Sequence, residues 1–117
     1  MRTEPLMLIK VLPLDVYHAV CACTSFRGWR DDERDGFIHL STPKQLQGTL
    51  QKHFTDFDVL ALVVFGDEME GLKWEASRAG ALFPHVYGTL DMTARLSVVH
   101  LTRDAEGQFH IPEALQL

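Results

Sequence analysis

The sequence predicts a single α+β domain, residues 1–117, of mostly antiparallel β-structure with about two helices. Segments with strand character outnumber segments with helical character by about five or six to two. The early order of strand, helix, strand, helix is followed by strands alone, which is typical of α+β folds and not of a doubly wound parallel sheet. A chain of 117 residues with 46% hydrophobic residues is long enough for one hydrophobic core.

The first third of the chain predicts a strand, a helix and a loop. Residues 6–12 are apolar except for Lys10 and predict a buried strand. Lys10 then either reaches water from a strand end or lies as a cation at the rim of a pocket. Residues 14–23 have the apolar spacing of a short amphipathic helix. Residues 24–35 lack periodicity and predict a loop, in which Trp29 anchors onto the core or forms part of a lid.

The stretch from Asp35 to Ser41 places polar side chains in an otherwise apolar strand. Side chains alternate between the two faces of a strand, so Phe37, His39 and Ser41 share one face while Ile38 and Leu40 share the other. If Ile38 and Leu40 face the core, His39 and Ser41 point together into solvent or into a cleft.

A helix start follows directly. Thr42 suits the N-cap and Pro43 suits the first helical position, where its missing N–H costs nothing. Gln45 stands where a Glu or Gln completes a capping box, which gives it a structural explanation. The helix is predicted to continue to about residue 54 because of an apolar stripe: Leu46, Leu50 and Phe54.

The second half of the chain predicts strands. Residues 59–65 are uniformly apolar and indicate a central strand covered on both faces. Pro84 confines the strand at 82–88 to an edge or to a strand beginning, since proline has no N–H to donate. Further strands are predicted at 72–75 and 94–101 and, as a short edge strand, at 109–112.

Composition excludes several classes of function. A net charge of -5 argues against broad binding to nucleic-acid backbones, which requires clustered Lys and Arg. Arg27, Arg30 and Arg34 could form a local basic pocket, but interleaved acidic residues favour a solvated charged loop. No apolar run approaches the ~20 residues of a membrane span, and no signal peptide is evident, so we expect a cytoplasmic protein. Cys21 and Cys23 are too close in sequence to pair on a helix and are expected to be reduced.

Polar residues that interrupt apolar strands are the candidates for chemistry, because in a small domain such residues lie on a solvated face or line a cleft. His39 and His85 stand out among the histidines since each alternates with another hydrogen-bonding residue on the same face. The predicted cleft is lined by Lys10, Trp29, His39, Ser41, Glu75, His85 and Tyr87.

Two kinds of site receive little support. Ser41 lacks the flanking glycines of a nucleophile elbow, which argues against a Ser-His-Asp hydrolase. A zinc or iron site could use His39, His85 and Glu75, but no local ligand spacing anchors it, and no metal is predicted.

A third kind of site would bind a nucleotide or another phosphorylated molecule. In it, His39 donates a hydrogen bond to a ribose or phosphate, and Tyr87 or Trp29 offers an aromatic face. Glu75 orients a hydroxyl group or stabilises a developing positive charge.

Three ordered motifs carry a resemblance to a known family. They are Asp-Gly-Phe-Ile-His-Leu-Ser-Thr-Pro-x-Gln-Leu at 35–46, Leu-Lys-Trp-Glu at 72–75 and Leu-Phe-Pro-His-Val-Tyr-Gly at 82–88. From Ile9 to about Val99 the chain resembles the DUF952 family of small uncharacterised bacterial proteins. That family is grouped with the ADP-ribosyltransferase fold, so the resemblance implies a split antiparallel β-structure with a cleft that binds NAD in active members.

A more distant similarity is to the RNA 2'-phosphotransferases of that fold. By this resemblance His39 matches the second His of a His-Ile-His-Leu string that contacts NAD or its phosphates, and Phe37 stands where the first His would be. Lys10 occupies a strand-one position where many relatives show His. Glu75 becomes the candidate for the transferase glutamate if it lies across the cleft from His39.

The resulting hypothesis is a protein that binds a nucleotide or another phosphorylated small molecule, with NAD as one candidate, and that transfers ADP-ribose or phosphate. His39 and Lys10 would hold phosphate or ribose oxygens, Glu75 would position the attacking group, and His85 and Tyr87 would shape the pocket. The alternative is a non-catalytic binding module that kept the fold and lost the transferase chemistry, as the Lys at position 10 suggests.

Overall fold

Two three-stranded antiparallel sheets form the framework of the protein. The computed structural model describes residues 6–77 and 80–115. The predicted α+β class with mostly antiparallel strands is confirmed, although these residues form three α-helices, α1 to α3, and not two. In chain order the elements are β1 (Met7–Pro13), α1 (Leu14–Val20), α2 (Asp31–Asp35), β2 (Ile38–His39), α3 (Pro43–His53), β3 (Val59–Gly66), β4 (Leu72–Ala76), β5 (Leu82–Val86), β6 (Ser97–Thr102) and 3-10 turns at Met92–Ala94 and Glu113–Leu115.

The first sheet has the strand order β1-β3-β6. Its middle strand, β3, buries every side chain from Leu60 to Phe65, which confirms the predicted central strand. Alternate residues of β3 pack into two different hydrophobic clusters, because successive side chains point to opposite faces. One face contributes Ala61, Val63 and Phe65, and the other contributes Leu60, Leu62 and Val64.

Helix α3 covers the second of these clusters. The hydroxyl of Thr42 accepts the N–H of Gln45 at 3.3 Å, and the side chain of Gln45 accepts the N–H of Thr42 at 3.2 Å. This is the predicted capping box, with Pro43 in the first turn. The predicted apolar stripe of Leu46, Leu50 and Phe54 is buried.

The second sheet has the strand order β2-β5-β4, so β5 is its middle strand. Pro84 is the third of the five residues of β5, so the prediction of an edge strand or a strand beginning is wrong. The C=O of Pro84 accepts the N–H of Leu40 at 3.0 Å, and in an antiparallel pair the N–H and C=O of one residue point toward the same neighbour. The missing N–H thus faces Leu40, just where β2 ends, and the ladder to β4 is unaffected.

A backbone bridge joins the two sheets. Ile9 donates its N–H to the C=O of Ser41 at 2.8 Å, and Ser41 donates to Ile9 at 2.9 Å. Because of this bridge the middle of β1, including Lys10, lies beside the end of β2. The inner face of the second sheet completes the core with Ile38, Leu40 and Val86.

Helix α2 lies within the segment that the sequence predicts as a loop, so that prediction is wrong for residues 31–35. The acidic residues that resemble a solvated loop also suit the first turn of a helix, where they face the positive end of its dipole. Gly36 ends the helix in the left-handed conformation, with a φ of 81° and its N–H bonded to the C=O of Asp32.

Smaller differences concern element ends. Helix α1 stops at Val20 and not at Cys23, because the N–H of Cys23 turns back to the C=O of Val20. Only a bridge between Arg103 and Phe109 forms where an edge strand at 109–112 is predicted. Cys21 and Cys23 are free thiols, as expected. None of the helices in the described part of the chain is long and apolar enough to cross a membrane.

Candidate functional site

The second sheet carries polar and aromatic side chains on the face turned away from the core. His39 of β2 lies directly opposite His85 of β5, and Lys73 of β4 lies opposite His85 on the other side. Residues two apart on a strand share this side of the sheet. We call the surface the outer face and define it by Phe37, His39, Lys73, Glu75, His85 and Tyr87.

Asp32, in the first turn of α2, bonds to both the backbone and the ring of His39. One carboxylate oxygen of Asp32, Oδ1, accepts the backbone N–H of His39 at 3.0 Å and its ring Nδ1 at 2.7 Å. The other, Oδ2, accepts the backbone N–H of Trp29 at 2.9 Å and the ammonium group of Lys10 at 2.6 Å. Asp32 is only 3% exposed, so both oxygens of a buried carboxylate are satisfied. Because a carboxylate only accepts, Nδ1 of His39 carries a proton.

An unusual turn brings Asp32 to this position. Gly28 has a φ of 111°, and a Cβ on it would lie 2.4 Å from the Cβ of Asp32. Only glycine therefore fits beside Asp32 at this point. Arg30, which precedes the helix, has a φ of 59°, a conformation uncommon for non-glycine residues.

Lys10 neither reaches water nor lies at a pocket rim, so both alternatives predicted for it are wrong. The residue is 5% exposed, and its ammonium group donates to Asp32 and, at 3.1 Å, to the C=O of His39. Burial lowers the pKa of Lys10, while the charge of Asp32 and its hydrogen bond oppose that shift. Burial also raises the pKa of Asp32, but the hydrogen bond from His39 and the charge of Lys10 outweigh it and bring the pKa to about 2. At neutral pH Asp32 is thus an anion between Lys10 and His39.

The outward nitrogen of His39, Nε2, faces the carboxylate of Asp35. The distance from Nε2 to Oδ2 of Asp35 is 3.0 Å, and the side chain of His39 is 38% exposed. Asp35 also meets the neighbouring Arg34, whose Nε lies 2.9 Å from Oδ1. The hydrogen bond from Arg34 is the main cause of a lowered pKa at Asp35. Since Arg34 pairs with the acidic residues of its own helix, the solvated charged segment that the sequence favours over a basic pocket is the better description.

His85 is held by a second carboxylate. Its Nδ1 lies 2.8 Å from Oε1 of Glu75, and the hydroxyl of Tyr87 donates to the same oxygen at 2.7 Å. The hydrogen bond from His85, followed by that from Tyr87, lowers the pKa of Glu75. The bond to Glu75 in turn raises the pKa of Tyr87, because ionised Tyr87 would lose it. No hydrogen bond occupies Nε2 of His85 within the described residues.

Aromatic contacts connect the two histidines. The ring of Phe37 stacks on His85 with centroids 4.2 Å apart and also contacts His39 at 4.7 Å. The rings of His39 and His85 are 5.2 Å apart at an angle of 71°. Glu75 therefore shares one face with His39, with His85 between them.

Two other predicted residues lie elsewhere. Ser41 is buried, and its hydroxyl lies 2.8 Å from that of Thr49 in α3. It leaves the face of His39 because β2 ends there and Ser41 pairs with β1 instead. Trp29 packs on the core, with its ring stacked on Phe54 at 6.0 Å and edge-on to Phe57.

In residues 6–77 and 80–115, no three His, Cys, Asp or Glu side chains are arranged to hold a metal ion. Glu75 and His85 bond to each other, which leaves the alternative set of His39, His85 and Glu75 unformed. A separate hollow at the rim of the first sheet is lined by residues such as Phe65, Met69 and Leu90, and contains none of the predicted site residues.

The predicted site residues do not include Asp32, Asp35, Phe37 and Lys73. Strand alternation places Phe37 on the face of His39, as the sequence predicted, and by the same rule Lys73 lies beside Glu75. For Asp32 the signal was Lys10 itself, because a charge in a buried strand requires a partner of opposite charge. Which of the neighbouring acidic residues would supply it could not be read from the sequence.

Comparisons with known proteins identify one family and the solved structures of one similar protein. The model of the family described as "Protein of unknown function (DUF952)" matches residues 11–98. The crystal structure of protein CC0527 from Caulobacter crescentus is 38% identical, covers 95% of this chain and 99% of its own, and has a TM-score of 0.84. The solution NMR structure of CC0527 is 39% identical over 86% of this chain and 89% of its own, with a TM-score of 0.74. A search of curated proteins finds no match. Neither the family nor CC0527 is described as an ADP-ribosyltransferase, so the likeness to that fold stays a prediction.

Proposed function

The chain belongs to the DUF952 family, and we propose that its outer face binds a nucleotide or another phosphorylated small molecule. One observation carries the proposal: His39 and His85 lie opposite each other on neighbouring strands, and each holds Nδ1 against a carboxylate. A carboxylate at Nδ1 fixes the ring orientation and leaves Nε2 to meet a ligand, and an imidazole ring that carries both protons donates from Nε2 to an anion. Two such donors, on rings whose centroids are 5.2 Å apart, suit the oxygens of one phosphate group.

Neighbouring side chains support a phosphorylated ligand with an aromatic part. Lys73 is exposed, and its ammonium group lies 4.9 Å from the centroid of the Tyr87 ring, so it adds a cation beside His85. Tyr87 is 38% exposed and Phe37 is half-buried. Their rings offer faces on which a base or a nicotinamide ring could stack. NAD is therefore one candidate ligand.

A transfer reaction is the second step of the proposal, and Glu75 is the residue that favours it. Both of its hydrogen bonds fall on Oε1, which leaves Oε2 available to orient a hydroxyl group and accept its proton. NAD would supply an activated ribose–nicotinamide bond for ADP-ribose transfer. If Glu75 serves only to hold His85 and Tyr87, the protein is instead a non-catalytic binding module.

Isothermal titration calorimetry with NAD, ADP-ribose and inorganic phosphate tests the binding step. The sharpest variant is His39→Asn, because the Asn amide can replace Nδ1 at Asp32 while Nε2 is removed. We expect it to weaken binding at least tenfold with a melting temperature close to wild type. His18→Ala, on the exposed surface of α1, is the matched control and should bind normally.

The absence of heat with all three ligands would refute the proposed function. Binding that survives in His39→Asn would refute the assigned site. A turnover assay that follows nicotinamide release then separates the transferase from the binding module: release that depends on Glu75 supports transfer, and tight binding without release supports the module.

A further inference from the structure

We infer that Asp35 competes with the ligand for Nε2 of His39, so that an anionic ligand must displace its carboxylate to bind. The inference rests on the proposed function, because it concerns the same face. It adds a residue that competes with the ligand. Removal of Asp35 should therefore strengthen ligand binding, whereas removal of a polar residue from a binding site ordinarily weakens it.

The geometry of His39 leaves one ring nitrogen for a ligand. Nδ1 is committed to the buried Asp32, so Nε2 is the nitrogen through which the ring can meet a ligand. In the free protein Oδ2 of Asp35 lies 3.0 Å from Nε2. A phosphate oxygen bonded to Nε2 would lie beside the carboxylate of Asp35. Two anionic oxygens at one nitrogen repel each other, so the phosphate oxygen and Asp35 compete for this position.

The position of Asp35 allows its carboxylate to move away from His39. It is the last residue of a five-residue helix, and its side chain is 29% exposed. Gly36 follows with a φ of 81°, and no atom lies within 4 Å of the position that a Cβ would take there, so the surface next to Asp35 is open. Arg34 already meets both oxygens of Asp35, at 2.9 and 3.4 Å. The displaced carboxylate would keep this partner.

The charged groups around His39 also disfavour an anionic ligand while Asp35 stays in place. The ring of His39 faces Asp32 and Asp35 from α2 and His85 from β5, and Lys10 lies behind Asp32. Asp32 is paired with the buried Lys10, so Asp35 is the negative charge of this cluster that faces an incoming anion. Movement of Asp35 away from the ring removes that negative charge, which favours a phosphate.

The test titrates Asp35→Ala and the wild type with inorganic phosphate and ADP-ribose at low salt. An exposed ion pair of this kind changes an equilibrium about twofold to fivefold, so we expect Asp35→Ala to bind that much more tightly. Asp35→Asn keeps the shape without the charge and should fall between the two. Glu33→Ala is the matched control, because it removes an exposed charge from the same helix without touching His39.

Each outcome decides the matter. Tighter binding in Asp35→Ala but not in Glu33→Ala supports the inference. Equal or weaker binding in Asp35→Ala, with a normal wild-type isotherm, overturns it and leaves the proposed function intact. An equal gain in Glu33→Ala also overturns it, since the effect would then be one of net charge. If neither wild type nor Asp35→Ala binds either probe, the proposed function fails and the inference fails with it.

Discussion

The two histidines of the outer face are held by carboxylates in opposite surroundings. Asp32 is buried beneath His39, accepts hydrogen bonds on both oxygens and pairs with a buried lysine. Glu75 holds His85 from the sheet surface, with a side chain that is 38% exposed and with both bonds on one oxygen. The contacts at Nδ1 differ by only 0.1 Å in length, from 2.7 to 2.8 Å.

Two histidine–carboxylate pairs with contacts of nearly equal length therefore contribute differently to the stability of the protein. Burial of a carboxylate is costly unless a partner compensates it, and here Lys10 does so, which ties Asp32 to the stability of the fold. Glu75 stays partly hydrated and can change partners at little cost. We therefore expect Asp32 to support the fold and Glu75 to be available for chemistry, and three measurements can break or sharpen that comparison.

The largest effect is expected from Asp32→Ala. Removal of one member of a buried pair leaves the ammonium group of Lys10 without its partner, which costs about 3–5 kcal/mol. Urea denaturation should show this as a lower free energy of unfolding. Glu75→Ala should change that free energy far less. Equal losses in the two variants would show that burial does not distinguish the carboxylates.

Acid should reveal the same contrast with a smaller effect. The pKa of Asp32 falls from 3.8 to about 2 in the folded state, so its contribution is present above pH 4 and is lost as the pH falls toward 2. The shift corresponds to roughly 2 kcal/mol. Denaturation curves between pH 5 and pH 2 should be steeper in pH for the wild type than for Asp32→Asn. Parallel pH profiles would contradict the depressed pKa.

The smallest effect concerns Glu75→Gln. The hydrogen bond to Glu75 raises the pKa of Tyr87, and a neutral amide is a weaker acceptor for that hydroxyl. We expect the pKa of Tyr87 to fall toward its ordinary value, with little change in the melting temperature. Absorbance of tyrosinate during an alkaline titration measures it, and Tyr87→Phe identifies the signal. An unchanged Tyr87 titration would mean that the contact with Glu75 is not kept in solution.

Much of the fold could be predicted because its signals are local. The uniform apolarity of residues 59–65 is enough to indicate a central strand, and the order of Thr42, Pro43 and Gln45 is enough to indicate a helix start. Each depends on neighbours in sequence and on general preferences of the backbone. The order of strands in the second sheet was harder, because the position of Pro84 depends on where β2 ends.

The site was predicted less well because its main contact spans distant segments. His39, His85, Glu75 and Tyr87 share one face, as their alternation suggests. The buried Lys10 depends on Asp32, which is 22 residues away in sequence. Composition describes an acidic segment as solvated, and it cannot show that one of its members is buried under a strand.

The single carboxylate of Asp32 that holds both the backbone N–H and the ring of His39 also affects the entropy of binding. A side chain that becomes ordered only in a complex costs roughly 0.5–1.5 kcal/mol in lost rotamer freedom. The ring of His39 is already ordered by its contact with Asp32. Its conformational entropy is therefore lost during folding, and a ligand that bonds to Nε2 meets a donor whose direction is already set.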